Sequence, residues 1–81
     1  SCKGISRTSG VMDASIADAE IKRAFIQHAR NVCLLVDGDK FDGVGLISVA
    51  DFDAITTVVT DRKPSDAWIE HFAEAGIRLI Y

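Results

Sequence analysis

Apolar residues fall in blocks along this chain, and their spacing changes from block to block. Val32-Cys33-Leu34-Leu35-Val36 is an unbroken apolar run without alternation, which predicts a strand buried on both faces. Ile55-Thr56-Thr57-Val58-Val59 is β-branched throughout and predicts a second strand, closed by Thr60-Asp61. Ile77 to Tyr81 predicts a third. Elsewhere the spacing is helical. Ile21, Ala24, Phe25 and Ala29 predict a helix from Ile16 to about Arg30, with these four residues as its apolar face. Trp68, Ile69 and Phe72 predict another over Ser65 to Ala75, opened by Pro64-Ser65 and stopped by Gly76. Ser1 to Ser15 is rich in Ser, Gly and Thr and reads as a connecting loop. Leu46 to Ala50 reads as a short strand or an irregular apolar stretch, and Asp51-Phe52-Asp53 as a turn or a single helical turn.

Strands alternating with helices of ten or more residues imply parallel βαβ units with right-handed crossovers. Two helices cannot cover both faces of three parallel strands. The piece is therefore expected to belong to a larger sheet, or to associate with another copy.

The totals narrow the class. Eighty-one residues allow one domain at most, and 48% hydrophobic content argues for a packed fold. A net charge of −3, with both signs mixed along the chain, leaves no footprint for nucleic acid or an anionic membrane surface. Apolar runs of about five residues are far below the ~20 needed to span a bilayer. The start at Ser1-Cys2-Lys3, without Met or a leader pattern, reads as a cut inside a longer protein. Cys33, within an apolar run, is expected to be a buried hydrophobe, and a Cys2–Cys33 disulfide is not expected in a reducing cytosol. Two thiols without clustered histidines make no metal site.

Candidate chemistry gathers at two places. Asp13, Asp18 and Lys22 lie in the loop and first turns of the first helix. They read either as a polar cluster aimed at a sugar ring or phosphate, or as helix capping by Asp13 or Ser15 plus an Asp18–Lys22 surface pair. Asp37, Asp39 and Lys40 follow the first strand, and ligands of parallel α/β sheets bind beyond the carboxyl ends of strands. One lysine among carboxylates there suits a small anionic or polyhydroxy ligand; a solvated loop is the alternative. Asp37 and Asp61 each close a strand, as an acid/base pair or as turn caps. His28 and His71 sit late in helices, where they complement the negative helix end. Ser48 and the threonines have no histidine at a triad spacing, Gly43-Val44-Gly45 lacks a following dinucleotide-type helix, and Trp68 with Phe72 reads as core.

Five segments then follow in order: GISRTSGVMD, DAEIKRAFIQHA, LLVDGDKFD, TTVVTD and GIRLIY. Together they resemble the C-terminal effector-sensing domain of DeoR-type bacterial transcriptional repressors, over nearly the whole chain. The most specific parts are the carboxylate-Ala-x-x-Lys-Arg helix, here from Asp18, and the Asp-x-x-Lys-Phe loop, here from Asp37. The resemblance implies an α/β fold: a three-layer Rossmann-like parallel sheet, related to sugar-phosphate isomerases and CoA transferases, of which residues 1–81 are the C-terminal portion. It implies a non-catalytic, cytoplasmic domain without cofactor that binds a phosphorylated sugar effector and works as a homo-oligomer. DNA would be held only through an N-terminal helix-turn-helix outside this chain. By position, Lys40 would contact an anionic group, Lys22 and Asp18 would shape the wall, and Asp13 and Asp37 would reach sugar hydroxyls. Two residues depart from the family's usual pattern: Asp18 stands for Glu, and Asp39 for a Ser or Thr that could donate to a phosphate, which an ionised carboxylate would repel. An isomerase-like enzyme fragment and an oligomerisation module are the alternative readings.

Overall fold

The segment read as a connecting loop, Ser1 to Ser15, is instead a hairpin. Strands β1 (Gly4–Ser6) and β2 (Gly10–Asp13) pair antiparallel, and β2 pairs antiparallel with β4 (Ile47–Ala50). Only three or four residues of each strand pair, too few for an alternating pattern to stand out among Ser, Gly and Thr. The turn is organised by Ser6, whose hydroxyl accepts from the Thr8 and Ser9 N–H groups at 3.2 and 3.0 Å. The computed structural model describes residues 1–44 and 47–81. The second glycine of Gly43-Val44-Gly45 and the first residue of the Leu46–Ala50 stretch lie outside the described residues.

The three strands expected from the apolar blocks form a second sheet. In it β3 (Cys33–Leu35), β5 (Thr57–Val59) and β6 (Arg78–Ile80) are parallel, in the order β3-β5-β6. Among the described residues the architecture is thus mixed α/β with two small sheets, one antiparallel and one parallel. The first helix, α1 (Ile16–His28), packs on the antiparallel sheet, against β4 and β2. The second, α2 (Asp66–Glu74), packs beside β6.

Three burial expectations are reversed. The run Val32 to Val36 is covered on one face only: Leu34 and Val36 are buried, while Cys33 and Leu35 are exposed. The register puts exposed Leu35 and Ile80 on either side of half-buried Val59, so the flanks of this row lack a cover. Cys2, not Cys33, is the buried thiol, and both are free. On α1 the inward side is Ala19, Lys22 and Ile26, whereas the expected apolar face of Ile21, Ala24, Phe25 and Ala29 points outward. Helical spacing found the helix but not which side has a partner.

The core is continuous. Trp68 and Phe72 on α2 pack edge-on to Phe41 and Phe52, with ring centroids 5.1–6.2 Å apart, and join Ile5, Val11, Leu34, Val58 and Ile77. The turn expected at 51–53 is a single 3-10 turn, Phe52–Ala54, which buries Phe52. Helix α2 ends as Gly76 predicts. Gly76 has φ 72°, its N–H donates to Ala73, and the Ile77 N–H donates to Phe72, a Schellman closure that turns the chain into β6.

Candidate functional site

Asp13 ends β2, and the side chain of Ser15 caps α1 by accepting from the Asp18 N–H at 3.1 Å. The short turn Ala14-Ser15 therefore holds the end of a strand against the first turns of a helix. Lys22 sits on the inward side of α1, and its ammonium donates to the Asp13 carboxylate rather than to Asp18. The expected Asp18–Lys22 pair is replaced because Asp13 is nearly inaccessible, with 2% side-chain exposure, and needs a partner more than solvated Asp18 does. Asp13 also accepts from the Ala14 N–H at 2.9 Å. The Lys22 hydrogen bond, opposed by burial and aided by Ala14, holds its pKa below the ordinary carboxylate value. Burial pushes the nearby Cys2 thiol up. Lys22 also lines an opening of about 230 Å³ whose other walls include Val11, Ile26, Val32, Leu34 and Ile55.

The second cluster follows β3 and β5, whose carboxyl ends lie side by side. Asp37 opens a 3-10 turn, Gly38–Lys40, by accepting from the Asp39 N–H at 2.9 Å, and its other oxygen lies 3.7 Å from the Lys40 ammonium. Turn capping is thus the role the geometry gives Asp37. Asp61 does something neither reading offered: it reaches across to accept from the Gly38 N–H at 2.8 Å, which lowers its pKa. Arg62, which the sequence did not single out, donates to Asp39 at 2.8 Å. Its guanidinium lies where a side chain at Gly38 would have to go. Only the fold brings 38 and 39 beside 61 and 62, so their spacing carried no signal.

Asp42 completes this edge. It takes a left-handed backbone, φ 58°, and accepts from the Trp68 Nε1–H at 3.1 Å. Phe41 makes a parallel bridge with Ile5, tying the loop to β1. Gly38, Phe41, Asp42, Arg62, Lys63, Pro64, Ser65 and Trp68 together surround a cleft of about 250 Å³. The structure thus brings Asp13 to Lys22 and Asp37 to Lys40, and leaves Asp18 exposed. Among the described residues no hydrogen bond or ion pair links the two clusters, and no group of three or more His, Cys, Asp or Glu side chains is arranged to hold a metal. His71 packs edge-on to Phe52, with its buried Nε2 unpartnered among the described residues.

Fold and site define a class: a mixed α/β domain with ion pairs at a strand–helix turn and beyond the ends of parallel strands. Residues 1–62 match the family model of the DeoR C terminal sensor domain, and the chain belongs to that family. It is 32% identical over 66 residues to the L-fucose operon activator of Haemophilus influenzae, covering 82% of this chain and 26% of that protein. It is 31% identical over 77 residues to the HTH-type transcriptional repressor GlcR of Bacillus subtilis, covering 95% and 30%. To the transcriptional regulator IolR of the same organism it is 30% identical over 77 residues, covering 95% and 31%. The chain spans about a third or less of the length of these relatives. It is a sensor domain of DeoR-family transcriptional regulators. Among its described residues no helix is long and apolar enough to cross a membrane.

Proposed function

We propose that this chain is the C-terminal portion of an effector-sensing domain that binds a phosphorylated sugar or related metabolite. Binding would change how a DNA-binding part outside the chain holds the operator of a carbohydrate-catabolism gene set. The observation that carries this reading is the Asp13–Lys22 pair, a buried carboxylate joined to an ammonium that is 30% exposed beside an opening. Such a pair presents a charge whose position is fixed by the fold. Lys40, steadied by Asp37, offers a second cation at the carboxyl end of the parallel sheet. In this reading Lys40 meets the anionic group, Lys22 and Asp18 shape the wall, and Asp13 and Asp37 reach hydroxyls.

The exposed Leu35 and Ile80 flanking Val59, and the outward Ile21 and Phe25, support a larger three-layer Rossmann-like sheet, to which the rest of the protein adds strands and helices. We take the domain to be non-catalytic and the regulator to act as a cytoplasmic homo-oligomer. Asp37 and Asp61, the carboxylates best placed to act as an acid/base pair, are each engaged by a backbone N–H.

The test is operator release by the full-length regulator across a panel of phosphorylated and free sugars. Lys40→Ala and Lys22→Ala should lose the response to a phosphorylated sugar while operator binding without sugar persists. An unchanged response in both variants would overturn the reading.

A further inference from the structure

The cleft between the loop after β3 and the start of α2 contains two cations that the proposed effector site does not use, Arg62 and Lys63. The carboxylates around it each accept a hydrogen bond from a neutral N–H. Asp61 accepts from the Gly38 N–H, Asp37 from the Asp39 N–H, and Asp42 from the Trp68 indole. Lys63 makes no ion pair among the described residues. Arg62 spends one guanidinium nitrogen on Asp39, in a pair whose side chains are 61% and 83% exposed. An ion pair so open to water is readily exchanged for another anion. The guanidinium rests over Gly38, whose missing side chain makes room for it. Ser65, the cap of α2, lines the same cleft, so the positive end of that helix adds to the two cations.

We infer that this cleft is a site for a phosphate or carboxylate group, and that Arg62 is a cation exchanged between Asp39 and that ligand. Asp39 supplies the oxyanion when the cleft is empty. An incoming oxyanion displaces it, takes the planar fork of Arg62 in two-point fashion, and gains Lys63 as a second contact. The Asp39–Arg62 contact that clasps the two loops opens as the ligand enters. The inference is independent of the identity of the effector, since it uses neither Lys22 nor Lys40.

Exchange makes a prediction that a purely structural clasp does not. Removing the cation and removing its internal competitor should change affinity in opposite directions. The experiment is calorimetric titration of the intact protein with inorganic phosphate, repeated with acetate. Arg62→Gln should weaken phosphate binding by roughly tenfold, the loss of a charge-assisted contact. Asp39→Asn should strengthen it severalfold. Arg30→Gln, a charge removed beyond the end of α1, should change it by less than either. Weaker binding in Asp39→Asn would overturn exchange, because the clasp would then be shaping the site rather than competing for it. An equal loss in Arg62→Gln and Arg30→Gln would also overturn the inference, by reducing it to attraction to net charge. If Arg62→Gln leaves phosphate binding intact while Lys40→Ala abolishes it, the cleft fails and the effector site stands. The reverse pattern would keep the cleft and remove the effector site.

Discussion

The Asp13 carboxylate, buried at the end of β2, is joined to the Lys22 ammonium on the inward face of α1. This pair fixes how the helix lies on the antiparallel sheet. A lysine turned inward among Ala19 and Ile26 would be costly without a counter-charge, and so would the carboxylate. Arg23, next along the helix, donates to the Ser48 carbonyl on β4, a second polar tie from the helix to the same sheet. The outward Ile21 and Phe25 follow from the same rotation.

Removing one member of the pair leaves the other buried and unpaired. Lys22→Ala should destabilise the fold by about 1–3 kcal/mol, less than for a fully buried pair because Lys22 is partly solvated. Urea denaturation at neutral pH measures this, and a loss no larger than that of a surface lysine such as Lys63 would contradict it.

The pair also predicts a pH dependence. Because the folded pKa of Asp13 lies below its unfolded value, the stability it contributes is fully present above the ordinary carboxylate pKa of about 4. That contribution is lost as pH falls from there through the lower folded value. Asp13→Asn should therefore be less stable than the parent at neutral pH and show a shallower decline in acid. Parallel acid limbs for the two proteins would mean that Asp13 titrates alike in folded and unfolded chains.

Asp42 carries two burdens, a left-handed backbone and the hydrogen bond from Trp68. Asn tolerates that backbone and can still accept, Gly keeps only the backbone, and Ala keeps neither. Stability should fall in the order Asp, Asn, Gly, Ala. The alanine variant should lose about 2 kcal/mol, from strain of roughly 1–2 kcal/mol and the lost bond. Thermal melts with Trp68 fluorescence as the probe give the ranking; an alanine variant as stable as the glycine one would refute the backbone part.

What could be read in the sequence follows from which signals are local. The three parallel strands, both helices, the Ser65 cap and the Gly76 stop each rest on residues adjacent in the chain, and each is observed. Strands β1 and β2 were missed because three and four residues among Ser, Gly and Thr carry too little pattern. The outward turn of Phe25, the inward turn of Lys22 and the exposure of Cys33 depend on which neighbour is present, which periodicity does not encode. The positions of the candidates Asp13, Lys22, Asp37 and Lys40 at a helix start and beyond a strand end could be read from the sequence. Their partners could not: Lys22 prefers a carboxylate nine residues away to the one four residues away, and Arg62 meets Asp39 across 23.

The clasp between the loops is testable through Asp61. Its carboxylate is held below the ordinary pKa chiefly by the Gly38 N–H. In Gly38→Ala the new methyl collides with the Arg62 guanidinium, so the loop or the arginine must move. Carbon-detected NMR titration should show the Asp61 pKa rising toward the ordinary value in that variant. An unchanged Asp61 would mean that the exposed arginine swings aside while the Gly38 bond stays.

Thiol reactivity tests the larger-sheet reading directly. Cys2 is buried and its thiol pKa is raised by burial, while Cys33 is exposed on the uncovered face of the parallel sheet. A thiolate-selective reagent under native conditions should modify Cys33 in the 81-residue chain, with Cys2 reacting more slowly by roughly tenfold or more. If the rest of the regulator covers the row beside Leu35, Val59 and Ile80, Cys33 should become slow in the full-length protein. Mass spectrometry of the labelled peptides separates the two sites. Protection of Cys33 only at high concentrations of the 81-residue chain would instead assign that face to a second copy. Equal, rapid labelling of Cys33 in the chain and in the full-length protein would leave the face uncovered, and the three-layer reading would fall.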